Sequence, residues 1–290
     1  MSKKTGYRTS AHVLSRRQMI HRMGSTLAIA PFTRVLLGCE ASDVADTRDA
    51  NDARLATEWA TGGTAAMQGP TPDPFAGGTG TPCILSCRDQ LGPCYAPTRR
   101  LKDVSDGKPG LPVRLVFLVT DESCNPISGA SLDIWHTSAD GLYSGNRGAA
   151  GHESEWNLSI CNPDRVAEAM RSSWFRGTQS SDANGRIYLD TCYPGWYTLR
   201  TIHIHGIVRI GNTESLTTQF YFDDALNDDI MKQPVYDERG PRGGRRNNEE
   251  GGTAMDPAYR FQTRQMADGS LLAWKQLIVR RSGTSSCRGG

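Results

Sequence analysis

The sequence predicts a mainly β fold, a β-sandwich of mostly antiparallel strands with long loops and little helix. Three observations carry this. Short β-branched and aromatic runs recur within about 110 residues; turn residues bound each run; and almost nothing else has helical period. The runs are VRLVFLVT (113–120), ASLDIW (130–135), GRIYLD (185–190), IHIHGIVRI (202–210) and TTQFYF (217–222). Asp182, Ala183, Asn184 and Gly185 supply hairpin chemistry between WFRGTQ and RIYLD. The one clear helical stretch is DRVAEAMRSS, with Asn162, Pro163 and Asp164 as cap and first turn.

Residues 1–39 read as an export signal. Ser15, Arg16, Arg17, Gln18, Met19 and Ile20 form a twin-arginine pattern, a weakly apolar stretch follows, and Leu36, Leu37, Gly38 and Cys39 resemble a lipobox. Residues 40–80 are rich in Ala, Asp, Thr, Gly and Pro and are expected to be a low-complexity tether. Residues 81–290 form the β-sandwich domain. The chain is therefore expected to be exported, as a periplasmic or cell-surface lipoprotein that meets a membrane only through a lipid anchor at Cys39.

Charge narrows the partners. The signal holds 7 of the 33 Lys and Arg and no acid, so 26 basic face 31 acidic residues beyond it, a net of −5. That balance argues against nucleic acid. GPRGGRR (240–246), flanked by Asp237, Glu238, Glu249 and Glu250, reads as a solvated loop. Seven cysteines follow Cys39, and in an exported chain they are expected to form disulfides with at least one left over.

The histidines of IHIHG mark the chemistry. Residues i and i+2 of a strand share a face, so His203 and His205 project together. Paired imidazoles suit a transition metal, although strand histidines are more often structural. His136 and His152 are rival ligands; His152 lies in GAAGHESEW, expected to be a loop insertion between Asn146 and Ser173.

Four stretches stand beside this pair: LGPCYAP (91–97), VTDESCNPISGASLDIWHTSADGLYSG (119–145), FRGTQSSDANGR (175–186) and YPGWYTLRTIHIHG (193–206). With LTTQFYFDD (216–224), and in this order, they resemble the intradiol ring-cleavage dioxygenases, particularly the exported, protocatechuate-3,4-dioxygenase-like branch. The resemblance covers roughly residues 81–282, and Trp135–Tyr143 and Pro194–His205 are its specific parts.

The resemblance implies one ferric ion per chain, held by Tyr143, Tyr197, His203 and His205. Fe(III) is a hard acid that favours anionic oxygen, and two phenolates would supply it. It further implies that Tyr197 leaves the metal and acts as a base, that Arg200 stabilises charge developing on the ring, and that Gln219 is a polar residue of the same pocket. The substrates would be a small aromatic diol and O2, the product a muconate-type diacid. Oligomerisation is left open. Tyr197 and His203 are six residues apart, about 20 Å if extended, so Thr198–Ile202 must bend for both to reach one metal. The alternative is an exported sandwich that binds a ligand without turnover; a zinc hydrolase lacks an evident general base beside the pair.

Overall fold

The structure is a computed structural model that describes residues 58–78, 82–145 and 159–285. The signal, Cys39, His152 and the whole GAAGHESEW stretch lie outside the described residues. Among the described residues eight strands form two four-stranded sheets: β1 (Pro112–Thr120), β2 (Ser131–Trp135), β3 (Arg176–Ser180), β4 (Arg186–Cys192), β5 (His203–Ile210), β6 (Thr213–Tyr221), β7 (Gln262–Gln265) and β8 (Leu271–Ile278). One sheet runs β4-β1-β8-β7, the other β3-β2-β5-β6. Every pairing is antiparallel except β1 with β8.

The core lies between the sheets. Leu115, Phe117, Leu189, Leu271 and Ala273 of one meet Leu132, Ile134, Ile204, Val208 and Phe220 of the other. Alternation then decides what faces outward on the second sheet. Strand register sets Arg176, Trp135, His205 and Gln219 side by side across β3, β2, β5 and β6, with Tyr221 beside His203 one row away. This outer face carries the site, beneath the segments around residues 90–97 and 194–202.

The five runs are strands, and four expectations need correction. β7 and β8 were not foreseen: QTRQ is a polar edge strand, and LLAWKQLI puts Lys275 where alternation would place an apolar residue. The Asp182–Gly185 turn forms, with Asp182 Oδ1 accepting from Asn184 N and Arg186 N, each at 2.8 Å. It joins strands of opposite sheets, however, so it closes an arch over the core rather than a hairpin. The helix spans only Ala167–Arg171. Arg165 has φ +50°, and Asn162 spends its side chain bridging Val166 N (2.9 Å) and O (3.0 Å), which makes a turn instead of a cap.

The tether expectation fails for residues 58–78, which pack on the domain. Two kinds of contact hold them. The guanidinium of buried Arg114 binds Gln68 O (2.7 Å), Gly69 O (3.2 Å) and Asp268 (2.8 Å) through charge-assisted bonds, and Phe75 and Trp59 pack on the apolar clusters of the domain.

Disulfides join Cys83 to Cys124 and Cys94 to Cys161, Cys87 is also disulfide-bonded, and Cys192 is a buried free thiol, its pKa pushed up to about 12 by burial. The leftover thiol foreseen from the odd count is thus sequestered and unreactive.

Candidate metal centre

Four donor atoms converge on the outer face. The Nε2 atoms of His203 and His205 lie 3.0 Å apart, and His203 Nε2 is 3.4 Å from the Tyr143 hydroxyl and 3.5 Å from that of Tyr197. For bonds of about 2.1 Å, typical of metal–imidazole and metal–oxygen contacts, donors at right angles sit roughly 3.0 Å apart and donors at 120° roughly 3.6 Å. The spacings fit one ion. Among the described residues no three or more His, Cys, Asp or Glu group to hold a metal, so an ion held here would need the tyrosines as donors.

The bend forms where it must. Thr198, Leu199 and Arg200 turn, with Leu199 at φ +69°, and this folds Tyr197 back over His203. His203 Nδ1 donates to Thr201 O at 2.7 Å, which leaves its Nε2 lone pair facing the centre. Burial holds both imidazoles well below the ordinary histidine pKa, reinforced by Arg200 at His203 and by His203 at His205. They are neutral, as metal ligands must be. Trp135 stacks flat on His205, with centroids 4.8 Å apart and planes 3° from parallel, and fixes the ring.

The tyrosines differ in how they are held. Tyr143, 1% exposed, sits in the wall formed with the Cys94–Cys161 disulfide; its backbone N donates to Cys161 O at 2.9 Å. Arg176 lies below its ring, 5.9 Å from the centroid, and binds Ser144 O (2.8 Å) and Cys94 O (2.7 Å). Burial lowers the Arg176 pKa to about 10, and no carboxylate pairs with it among the described residues. Tyr197 is 9% exposed and belongs to the bend rather than to a strand. Without a cation both phenols stay protonated, since burial raises their pKa, most strongly at Tyr143. A metal bound by these phenols would displace their protons, so its affinity would rise with pH.

Arg200 does face the site. Its Nη2 donates to Gln219 Oε1 at 2.5 Å, and its Nε donates to Glu250 Oε1 at 2.8 Å. Glu250 Oε2 also accepts from Thr201 N at 2.6 Å, so a single carboxylate ties the guanidinium to the bend that positions His203. The solvated-loop reading of GPRGGRR and its flanks holds for Arg245, Arg246, Asp237, Glu238 and Glu249, which are exposed, and is corrected at two residues. Arg242 is half-buried against Asp224 (2.9 Å) and Asp228 (2.8 Å), and Glu250 turns toward Arg200, while Arg245 N donates to Arg200 O (3.1 Å). Arg242 turns inward because helix Asp224–Ile230 presents acids to it. Glu250, Thr201, Arg176 and Trp135 are the site residues missed in the sequence; the flanking Glu beside an unpaired arginine was the available signal. His136 is excluded as a ligand. Its Nδ1 and Nε2 are engaged by Thr137 O (2.8 Å) and Thr191 Oγ1 (2.7 Å).

Gly92 sets how closely the 91–97 segment lies over His205. At φ +74°, a Cβ here would stand 2.8 Å from His205 Cε1. Gly92→Ala is expected to lower metal occupancy by displacing that ring, with left-handed strain of about 1–2 kcal/mol added. Metal content and melting temperature check it; a variant equal to wild type in both would place the segment elsewhere.

A family model described as "Dioxygenase" matches residues 92–248, more than half of the chain. The chain is 27% identical over 139 residues to a chlorocatechol 1,2-dioxygenase of Pseudomonas putida, covering 42% of this chain and 45% of that protein. It is also 27% identical over 133 residues to the enzyme of the same name from Pseudomonas sp. strain P51, covering 39% and 45%. The chain thus spans about half the length of the curated relatives it matches. An intradiol ring-cleavage dioxygenase from Tetranychus urticae superposes with a TM-score of 0.59 at 23% identity, over 70% of this chain and 98% of that one, and shares the fold. By its sequence family and its two-sheet architecture, this chain belongs to the intradiol ring-cleavage dioxygenases.

Proposed function

We propose that this chain uses O2 to cleave a catechol-type aromatic diol between its two hydroxylated carbons, with one ferric ion held by Tyr143, Tyr197, His203 and His205. The convergence of two phenol oxygens and two neutral imidazoles on one point is the observation that carries the reading. Hard anionic oxygen suits Fe(III) better than zinc or copper(I). When bound, the ion would supply Lewis-acid and one-electron chemistry that makes a chelated diol reactive toward O2.

The protein groups around that point divide the remaining work. Tyr143, pinned through Cys161 O and underlain by the Arg176 charge, is the permanent anionic ligand. Tyr197, on the bend and more exposed, is the ligand free to move aside and take a substrate hydroxyl proton on its Oη. Arg200, oriented by Glu250 and Gln219, puts a fixed positive charge beside the ring, where negative charge develops during cleavage. Leu91, Tyr95, Ile207 and the Cys94–Cys161 disulfide form an apolar wall that excludes water and sets which ring substituents fit. Both oxygen atoms enter the diacid, so the reaction needs no external reductant. Oxygen-electrode traces with catechol test it: uptake of one O2 per diol with appearance of a muconate-type absorbance supports cleavage. Tight catechol binding without O2 uptake would favour the non-catalytic binding module.

Export by the twin-arginine route and anchoring at Cys39 complete the proposal. Disulfides at Cys83–Cys124 and Cys94–Cys161 support an oxidising compartment. Native protein should fractionate with membranes and Cys39→Ser should become soluble. Equal recovery of both forms in a soluble fraction would show that Cys39 carries no lipid.

A further inference from the structure

A second cavity lies under β6, on the side away from the metal centre. Alternation puts Gln219 and Tyr221 of β6 on the outer face, whereas Thr218 and Phe220 point inward and line this cavity of about 470 Å³. Phe75, Tyr259, Trp274 and Leu277 supply apolar walls, and Ile84, 71% exposed, stands at its rim. The volume is that of a small-molecule site.

Three polar groups in this wall lack adequate partners. Thr218 is 1% exposed and its Oγ1 makes no hydrogen bond; Arg260 Nε is likewise buried and unpaired. Lys275 projects from the core-facing side of β8, in register with Phe117 of β1, and its ammonium donates only to Arg260 O, at 3.3 Å. No ion pair involves Lys275 among the described residues. The other charges at the cavity are accounted for. Arg260 Nη1 pairs with Asp223 at 3.0 Å, and exposed Asp256 accepts from Ala258 N at 2.8 Å. One cation is thus left half-buried with no ion-pair contact among the described residues, the exposed Asp256 at the rim being the acid whose charge reaches it, in a cavity that also holds an unpartnered hydroxyl. A desolvated ammonium gains most from a charge-assisted bond.

We infer that this cavity binds an apolar monocarboxylate, its head on Lys275 and the Thr218 hydroxyl and its body against Phe220, Tyr259 and Leu277. A single negative charge matches the one cavity cation that no carboxylate touches. The site is independent of the metal centre and of the proposed ring cleavage.

Calorimetric titration of the full mature chain with decanoate and with 2-naphthoate separates an aliphatic from an aromatic ligand, and decanol serves as the uncharged control. The expected result is one site per chain for at least one acid, with affinity at least tenfold weaker for decanol or in Lys275→Met. Binding should be unchanged in Tyr143→Phe. Thr218→Val, which keeps the side-chain shape, should weaken binding too and guards against misfolding of the lysine variant. Absence of saturable binding by both acids, binding that survives Lys275→Met, or loss of binding in Tyr143→Phe would each overturn the inference.

Discussion

Tyr143→Phe is expected to lose nearly all bound metal, while Tyr197→Phe keeps a substantial part of it. The argument rests on charge and on anchoring. Removing either hydroxyl leaves one potential phenolate and two neutral imidazoles, but the two positions differ. Tyr143 is 1% exposed, fixed by Cys161 O through its backbone, and sits over the buried Arg176 guanidinium, which has no carboxylate partner among the described residues. Phenylalanine there removes an anionic donor and leaves that guanidinium uncompensated. Disturbing an outer-shell partner of a metal ligand costs 10–100-fold in affinity, and loss of the ligand itself should exceed about 100-fold. Tyr197 sits on the bend with more freedom, so its loss should cost less. Titration of both variants with iron decides it, and equal retention or the reverse order would contradict the roles assigned.

The second large effect is expected at Arg200. Arg200→Ala should retain metal and colour yet lose ring cleavage by on the order of 100-fold or more, the usual loss when a fixed donor to developing charge is removed. Glu250→Gln separates charge from position. Glutamine can still accept from Thr201 N, so the His203 bend should hold and metal content stay near wild type, while a less firmly oriented Arg200 lowers kcat more than it raises KM. Near-normal turnover of Arg200→Ala would place the guanidinium outside the chemistry. Loss of metal from Glu250→Gln would show that the carboxylate serves the bend alone.

Much of this was legible in the sequence because the strongest signals are local. IHIHG states its own facing pair through strand alternation, and the six-residue gap from Tyr197 to His203 demands the bend that Leu199 makes at φ +69°. What escaped depends on contacts distant in the chain. Glu250 is 50 residues from Arg200 and read as part of a charged surface run, because its exposed neighbours Arg245, Arg246 and Glu249 do belong to one and nothing local reveals that Glu250 turns toward Arg200. Residues 58–78 read as tether because their anchors are sparse: Arg114 reaches them from β1, and Trp59 and Phe75 are two isolated aromatic side chains that pack on the domain. β8 was hidden by Lys275, a charge on the core face that marks a cavity rather than a strand end.

The central claim is that Tyr143, Tyr197, His203 and His205 together hold ferric iron. Metal analysis of the purified mature chain, combined with one visible absorption spectrum, tests it most directly, because ferric phenolates absorb visible light and zinc sites do not. The account predicts one iron per chain and a red to burgundy solution whose colour is lost in Tyr143→Phe. A colourless protein carrying stoichiometric zinc, or a coloured one whose spectrum is unchanged when Tyr143 and Tyr197 are both replaced by phenylalanine, would contradict it.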